Sequence, residues 1–386
     1  MLEQDSPIAS PGGRDWLAAL LLRRQSRLMP RFAAAFVRLR AAPRNARRRL
    51  HRRAAVSLAG AALLVAMAGS PLLVPQAQAA AITVANGEIA INLANGQCSL
   101  IEAVNNANTD SDTSGGDCVA GTAGADTINL PAGGAFTFSA SYVYDAGNNG
   151  LPSITSEITI QGNGATLDLG GAAVGIRLAR VSASGDLTVN DTTISDGSMY
   201  DATFGGGVFR VEGGALTIDD STLTDNATRS YGGAIFVLDD GTLTITNGST
   251  ISGNSAFRGG GVYSSDSDTT LSDSSVSGNT AERSGGGVQT NRGSLSISAS
   301  QINDNGWEPG QIGVVGYVDY GGGVIASRAT LSIAATTIDG NYSGYGGGGL
   351  WVQNATGVTI SQSAITNNVA DGSGGGVRWG AYGDSG

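Results

Sequence analysis

Residues 259–288 read GGGVYSSDSDTTLSDSSVSGNTAERSGGGV, so this segment begins and ends on the same four letters. Similar glycine tracts closed by an aliphatic residue recur along the chain, at 205–208, 232–235, 259–262, 285–288, 321–324, 346–350 and 374–377. The residues preceding the closing aliphatic are Gly207, Ala234, Gly261, Gly287, Gly323, Gly349 and Gly376, and subtraction gives intervals of 27, 27, 26, 36, 26 and 27. Self-similarity at a near-constant period is the signature of a repeat architecture.

Each repeat contains short alternating runs between its glycine tracts. LTI at 216–218 and LSI at 295–297 place aliphatic side chains on one face and hydroxyl side chains on the other, which is the two-residue period of a strand. Strands this short, separated by Gly, Asn and Asp, argue against helices. One unit cannot bury its few aliphatics alone, whereas a stack can. The sequence therefore predicts an all-β, right-handed parallel β-helix, a pectate-lyase-like solenoid with about 26 residues per coil.

An asparagine follows the second short strand of each repeat. The members of this column are Asn226, Asn254, Asn279, Asn305, Asn341 and Asn368. One repeat upstream, in LTVNDTTISDGS (187–198), the equivalent position is Gly197. Asn and Gly both tolerate positive φ, so we predict a left-handed turn at this column, with amide hydrogen bonds shared along the stack.

Two further columns are candidates for function. Four residues after the closing aliphatic stand Glu212, Asp239, Asp266, Arg292, Arg328 and Asn354. The acids Glu212, Asp239 and Asp266 are a weak candidate for Ca²⁺, which prefers several oxygen ligands. The favoured alternative is a solvated turn in which Asp266 and Arg292 form an ion pair of little energetic value.

The second of these columns directly follows the aliphatic residue. It comprises Phe209, Phe236, Tyr263, Gln289, Ile325 and Trp351. If the aliphatic points into the core, this column points outward, where an aromatic row could stack on sugars. The favoured alternative is a self-stacking ladder that protects the sheet face.

An insertion at 307–319, WEPGQIGVVGYVD, accounts for the one long interval. Extra residues leave a solenoid as a loop on one face, and that face is often the binding face. The aromatic residues in and near it are Trp307, Tyr317, Tyr320, Tyr342 and Tyr345. We predict a partner-binding surface here, with a loop that packs only on its own aromatics as the favoured alternative.

The first 79 residues differ in kind from the repeats. Thirteen arginines precede an apolar run at 54–69, and AQA at 77–79 offers small residues at a cleavage site. This layout predicts a signal peptide with a long basic front, cleaved after Ala79, while a membrane anchor over 54–74 is the alternative. We therefore divide the chain into a leader (1–79), an N-terminal capping region (80–157) and β-helix repeats (158–386). Because the sequence stops just after a coil has opened, a truncated C-terminus is an alternative to a complete one.

The chain beyond the leader is strongly acidic. The leader holds 13 of the 22 arginines and 3 of the 32 acids, which leaves 9 − 29 = −20. There is no lysine, and the only histidine is His51. Such a chain is a poor binder of nucleic acid or anionic membranes, and it lacks histidine for catalysis or metal binding after residue 79.

The two cysteines, Cys98 and Cys118, both follow the leader. In an exported chain the default expectation is a disulfide between them, and two free thiols are the alternative.

The segment around Cys98 also carries a family resemblance. CSLIEAVNNAN (98–108) resembles the CSLREA signature of bacterial surface β-helix proteins, with Ile101 where that family usually has Arg. The similarity continues through ADTINLPAG (125–133) and ITIQGNGATL (158–167), and the glycine and asparagine repeats resemble the polymorphic outer membrane protein repeat. The resemblance implies an exported or surface-exposed right-handed β-helix, and it carries over no catalytic residue.

These observations favour an exported or cell-surface scaffold for binding or adhesion without catalysis. The expected partner is a glycan or a surface protein. The chain is expected to be exported through the inner membrane to the extracellular space or the outer surface of the cell. No cofactor is expected, except Ca²⁺ as a weak candidate. The first alternative is a polysaccharide lyase or hydrolase on the same fold, because such lyases use a basic residue and Arg229, Arg258 and Arg283 precede three successive glycine tracts. The second alternative is a passive spacer or a gene fragment.

Overall fold

A computed structural model describes residues 79–172, 174–201, 203–306 and 320–380. Residues 1–78 of the predicted leader and the insertion at 307–319, with Trp307 and Tyr317, lie outside the described residues. The described part falls within one compact unit, Ala77–Gly386. No helix in this part of the chain is long and apolar enough to cross a membrane.

The described elements are one helix and a long series of short strands. The helix, α1, spans Leu100–Thr109. The strands before the clear repeats are β1 Ala81–Thr83, β2 Asp126–Asn129, β3 Ala135–Thr137, β4 Val143–Tyr144, β5 Asn148–Asn149, β6 Glu157–Asp168, β7 Ala179–Val181, β8 Asp186–Ser195 and β9 Ser198–Met199. Those between the first glycine tract and the insertion are β10 Phe209–Glu212, β11 Ala215–Asp219, β12 Thr222–Thr224, β13 Ala227–Thr228, β14 Ile235–Leu238, β15 Thr242–Thr246, β16 Thr250–Ser252, β17 Ser255–Arg258, β18 Val262–Ser272, β19 Ser275–Ser277, β20 Thr280–Ser284, β21 Val288–Ser298 and β22 Gln301–Asn303. Those after it are β23 Val324–Ser327, β24 Thr330–Ala334, β25 Thr337–Asp339, β26 Tyr342–Ser343, β27 Leu350–Gln353, β28 Gly357–Ser361, β29 Ala364–Thr366, β30 Val369–Ala370 and β31 Val377–Gly380.

Corresponding strands of successive coils pair in parallel and form rows along the stack. The first row, which follows the glycine tracts, contains β7, β10, β14, the start of β18, the start of β21, β23, β27 and β31. The second and third rows follow it within each coil, as β11 and β12 illustrate by pairing with β15 and β16. The result is a parallel β-helix of about nine turns with about 27 residues per turn, which confirms the predicted fold. Parallel pairing already joins β1 to β2 and β2 to β6, on the N-terminal side of the clear repeats.

The core is a set of aliphatic columns. Leu216 pairs with Leu243 and Ile218 pairs with Ile245, and all four side chains are buried. Each fully buried side chain of this size contributes about 1.5–3 kcal/mol relative to its exposed state. The alternation predicted from LTI and LSI is therefore the pattern that fills the interior.

One residue register in the sequence analysis is wrong. Phe209 pairs with Ile235 rather than with Phe236, so Phe209 lies in the inward column and Arg210 lies in the outward one. Glu212 pairs with Leu238 and is one position away from the register of Asp239. The cause is the length of the glycine tract, because left-handed Gly206 corresponds to Gly232 and leaves Val208 opposite Ala234. Counting from the closing aliphatic residue shifted this coil by one position.

The prediction of left-handed backbone at the asparagine column is also wrong. The residues with positive φ immediately precede the asparagines and are Asp225, Gly253, Gly278, Asp304, Gly340 and Asn367. At the upstream end the same pattern holds, with Asp196 at positive φ before Gly197. The asparagines are required for their amides instead, and Gly197 occurs where the column ends.

The asparagine amides form a continuous ladder along the stack, as predicted. The Asn279 Nδ2 donates to Asn305 Oδ1 at 2.9 Å and to the Ile251 carbonyl at 2.8 Å. Its Oδ1 accepts from both the backbone nitrogen and the Nδ2 of Asn254, at 3.0 and 2.9 Å. All four hydrogen bonds are buried, so each coil is tied to its neighbours at the corner after the third row.

A second ladder, which the sequence analysis missed, lies at the corner before the third row. Backbone amides donate to hydroxyl oxygens of the next coil, and the acceptors are Ser221, Ser249, Ser300, Thr336 and Ser363. The signal is the Ser or Thr that opens the second short strand of each repeat, in STL (221–223), STI (249–251) and TTI (336–338), where the alternation by itself predicts only a strand.

The region before the repeats contains α1 and a disulfide. Ser99 and Glu102 form a capping box at the start of α1, and Ile101 is buried rather than exposed. Cys98 and Cys118 are joined across a sequence separation of 20, which confirms the predicted bond.

Removal of this disulfide is expected to destabilise the protein. Replacing both cysteines by serine should lower the free energy of unfolding by about 3 kcal/mol, because the denatured chain regains the freedom of the closed loop. Thermal unfolding of the double variant against reduced and oxidised wild type measures the effect. Two reactive thiols in the unreduced wild-type protein would contradict the bond itself.

Candidate binding face

The outward side of the first row, here called the outer face, carries a column of large side chains. In register order its members are Arg180, Arg210, Phe236, Tyr263, Gln289, Ile325, Trp351 and Arg378. Phe236, Tyr263 and Trp351 are only 6–7% exposed. The proposed exposed aromatic row is therefore wrong, because other side chains pack on these rings.

The covering side chains come mostly from the segments that precede the glycine tracts. The Tyr231 ring lies 4.7 Å from that of Tyr263, and Phe236 meets Tyr263 edge to face at 5.6 Å. Further along, the Tyr320 ring lies 3.7 Å from that of Trp351. The favoured alternative, aromatic packing that protects the sheet face, describes this arrangement, and such pairs contribute about 0.5–1.5 kcal/mol each beyond burial.

The three described residues proposed as partner contacts have different surroundings. Tyr320 and Tyr345 meet edge to face at 5.0 Å, and the Arg378 guanidinium lies 4.7 Å from the Tyr345 ring centre. Tyr342 instead donates a hydrogen bond to Asp371. Of the three, Tyr320 lines the cavity described next.

A cavity of about 190 Å³ opens on the outer face between β18 and β27. Its floor is made by outward residues of the first row, including Gln289, Trp351 and Gln353. Arg258, Arg283 and Tyr320 border it on the side of the glycine tracts, while Arg328 borders it where β23 ends. Residues from four successive coils thus contribute to one concave site.

Several polar donors in this cavity have no hydrogen-bond acceptor. They are Arg258 Nε, Trp351 Nε1 and Gln353 Nε2, all buried. The Gln353 carbonyl oxygen is occupied, since it accepts from Ser327 at 3.0 Å. The Gln289 carbonyl oxygen likewise accepts from Ser284 at 2.9 Å. A buried donor without a partner costs about 1–3 kcal/mol, so these groups favour a ligand rich in acceptors.

The cavity is also positively charged. Arg258, Arg283 and Arg328 are three of the nine arginines beyond residue 79, and the described residues that line the cavity include no Asp or Glu. Burial raises the pKa of Tyr263, which keeps its phenol neutral, although the nearby Arg258 charge opposes the shift. Arg258 and Arg283 both lie 5.8 Å from the Phe257 ring centre, so one aromatic ring brings the two cations together. Arg229 is apart from them, over the Tyr200 ring at 5.5 Å.

A charge network occupies the N-terminal part of the outer face. The Arg180 Nη1 lies 2.8 Å from Asp145, and Arg180 and Arg210 both bind the Glu212 carboxylate. Burial alone would raise the pKa of Glu212, but hydrogen bonds from Arg180 and Arg210 hold it below its usual value. Arg177 interacts electrostatically with this network and is fully buried, and burial lowers its pKa to about 9.

Glu212→Gln is expected to destabilise the fold by about 3 kcal/mol at neutral pH, because it leaves Arg180 and Arg210 without their shared partner. Since the pKa of Glu212 is lowered on folding, its contribution is present above the ordinary glutamate pKa and is lost as pH falls through the lowered value. Denaturant unfolding of both proteins at neutral and acidic pH should show the difference shrinking in acid. A difference that stays constant with pH would contradict this role.

The three acids proposed for Ca²⁺ are not brought together. Asp266 accepts two hydrogen bonds from Arg292, at 2.6 Å each, which is the ion pair of the favoured alternative. Glu212 is held by arginines and lies outside the column, while Asp239 is a left-handed turn residue. Within the described ranges, no three Asp, Glu, His or Cys side chains are grouped closely enough to hold a metal ion.

Comparison with known families gives one match. Residues 123–236 are similar to a family described as a pectate lyase-like adhesive domain. The match covers the coils from β2 to β14 and ends before the cavity. Together with the stacked coils, it supports a likeness to pectate-lyase-like β-helix proteins. Neither curated proteins nor solved structures gave a match.

Proposed function

We propose that this chain is an exported, surface-exposed β-helix scaffold that binds a glycan or a neighbouring surface protein without cleaving it. The observation that carries the proposal is the similarity of residues 123–236 to an adhesive domain. The outer face supports it, because a cavity with unpartnered buried donors gives the scaffold a place to hold an acceptor-rich ligand. Trp307 and Tyr317 stay proposed partner contacts, since Tyr320 follows the insertion and lines this cavity.

Retention on immobilised polysaccharides tests adhesion and cleavage in the same experiment. The purified chain is passed over a panel of surface polysaccharides, and bound protein and newly formed reducing ends are measured together. We expect retention on at least one polysaccharide with no new reducing ends. Failure to bind any polysaccharide or any cell surface would refute the adhesive function.

A polysaccharide-cleaving enzyme is the second candidate, because Arg258, Arg283 and Arg328 border one cavity on the outer face. In such an enzyme a basic side chain would take part in proton transfer or charge stabilisation at the sugar. Steady release of new reducing ends, abolished by Arg283→Gln, would establish this candidate and exclude the first.

Export is proposed from the leader alone. Its basic front, apolar run and AQA tract have the layout of a secretory signal. N-terminal sequencing of protein recovered from the medium or the cell surface should begin at Ala80. Recovery of the chain only inside the cell, with the leader intact, would contradict export.

A further inference from the structure

We propose that the cavity on the outer face binds one sugar unit that carries a single carboxylate or sulfate group on an otherwise uncharged glycan. The inference rests on the proposed adhesive function and specifies the chemistry of its ligand. It follows from three properties of the cavity, namely its donors, its charge and its size.

The donor set defines the hydrogen-bonding character of the ligand. Trp351 and Gln353 are more than nine-tenths buried, yet Trp351 Nε1 and Gln353 Nε2 have no acceptor. The carbonyl oxygens of Gln289 and Gln353 each accept a hydrogen bond from a serine hydroxyl, whereas the Trp351 and Gln353 donors have no such partner. These two neutral donors suit the hydroxyl and ring oxygens of a sugar.

The arginines define its charge. Guanidinium groups pair with carboxylate and tetrahedral oxyanions through two parallel hydrogen bonds, and such charge-assisted bonds are roughly twice as strong as neutral ones. Arg328 is exposed at the rim, whereas Arg258 is half-buried and has an unpartnered Nε. No carboxylate of the described residues lines the cavity, and Arg258 and Arg328 are the cations that we propose to pair with a ligand oxyanion.

The size of the cavity and the charge of the whole chain limit the ligand to one anionic group. The cavity volume of about 190 Å³ is below the roughly 300–1,000 Å³ of sites for drug-sized ligands, so it admits about one sugar unit. The chain beyond residue 79 carries a formal charge of 9 − 29 = −20, which repels a polyanion approaching the stack. A sparsely charged glycan avoids that repulsion and can still place one oxyanion against Arg258 or Arg328.

Titration calorimetry with the full chain tests the proposal. The probes are the methyl glycoside of glucuronic acid, galactose 6-sulfate, the neutral methyl glucoside and polygalacturonate. We expect one or both single-charge sugars to bind, with the responding probe identifying carboxylate or sulfate. We expect the neutral sugar to bind at least tenfold more weakly, since it cannot form a charge-assisted hydrogen bond with the arginines. Polygalacturonate should bind more weakly per sugar unit than the single-charge probe, and more so at low salt.

Matched variants locate the effect in the cavity. Arg328→Gln should weaken binding about tenfold, whereas Arg292→Gln should leave it unchanged, because Arg292 holds the preceding position of the same turn column and pairs with Asp266. Trp351→Phe should weaken binding about threefold, because it keeps a six-membered aromatic ring but removes the Nε1 donor.

Three results would overturn the proposal. They are equal binding of neutral and anionic sugars, equal loss in Arg328→Gln and Arg292→Gln, and binding of neither single-charge probe by a chain that still adheres to a polysaccharide surface. In the last case the adhesive function stands and only this ligand assignment fails.

Discussion

Replacing Asn279 by valine should lower the free energy of unfolding by about 5 kcal/mol. The change removes an amide that makes four buried hydrogen bonds, to Asn254, Asn305 and the Ile251 carbonyl. It leaves the Asn254 donors and the Ile251 acceptor buried without partners, and each such group costs about 1–3 kcal/mol. Because every coil rests on its neighbours, damage at one rung weakens the interface on both sides.

Two further variants separate the amide from the backbone. Asn303→Val is the matched control, because Asn303 lies in strand β22 outside the ladder and should change stability by less than about 1 kcal/mol. Asn279→Gly should cost nearly as much as Asn279→Val, since the left-handed residue here is Gly278. Denaturant unfolding measures all three. Near-wild-type stability of Asn279→Gly would show that backbone freedom, rather than the amide, is what this position requires.

Gly323→Ala should lower the free energy of unfolding by about 3 kcal/mol. A Cβ at Gly323 would stand 2.6 Å from the Gly349 carbonyl oxygen and 2.9 Å from Asn341 Cγ, which are a backbone atom and a rung of the ladder. Neither neighbour can move without disturbing the next coil, and overpacking of this kind costs about 1–3 kcal/mol or more. At Gly323 the glycine is thus required by the close approach of the next coil.

Gly376 provides the matched control for this substitution. It occupies the same column, but its Cβ would meet only Ile365 Cγ2, at 3.7 Å, among the described atoms. Gly376→Ala should therefore change the thermal midpoint by a much smaller amount than Gly323→Ala. Equal effects of the two substitutions would contradict the role of coil-to-coil contact.

The repeat and its core were predictable because they depend on local patterns. The two-residue alternation of LTI and LSI and the recurring glycine tracts determine which side chains point inward, and the structure confirms this at Leu216 and Leu243. The register of Phe209 was not predictable by counting letters, because one tract has an additional residue before its strand. Hydrogen-bond pairing between coils, rather than spacing, determines that register.

The outer face was less predictable, because its burial depends on side chains from other coils. Periodicity places Tyr263 and Trp351 outward, but it does not show that Tyr231 and Tyr320 pack on them. The cavity was hard to predict for the same reason, because its residues come from different coils. Arg258 and Arg283 precede the first-row strands of their coils, whereas Arg328 follows the first-row strand of its coil. In the sequence, Arg258 and Arg283 form a series before the glycine tracts, whereas Arg328 stands four residues after a closing aliphatic, in the column that also contains Asp239 and Asp266.

Labelling one position on each of two strand rows tests most directly whether the outer face holds the ligand. The only two cysteines form the disulfide, so Ser327→Cys and Ser332→Cys each introduce a single free thiol for a polyethylene glycol chain. Ser327 lines the cavity, while Ser332 is exposed on the second row of the same coil. The measurement is retention of each variant, labelled and unlabelled, on the polysaccharide that retains the wild-type chain. We expect labelling of Ser327→Cys to reduce retention at least about tenfold and labelling of Ser332→Cys to leave retention unchanged. Equal retention of the two labelled proteins would contradict it.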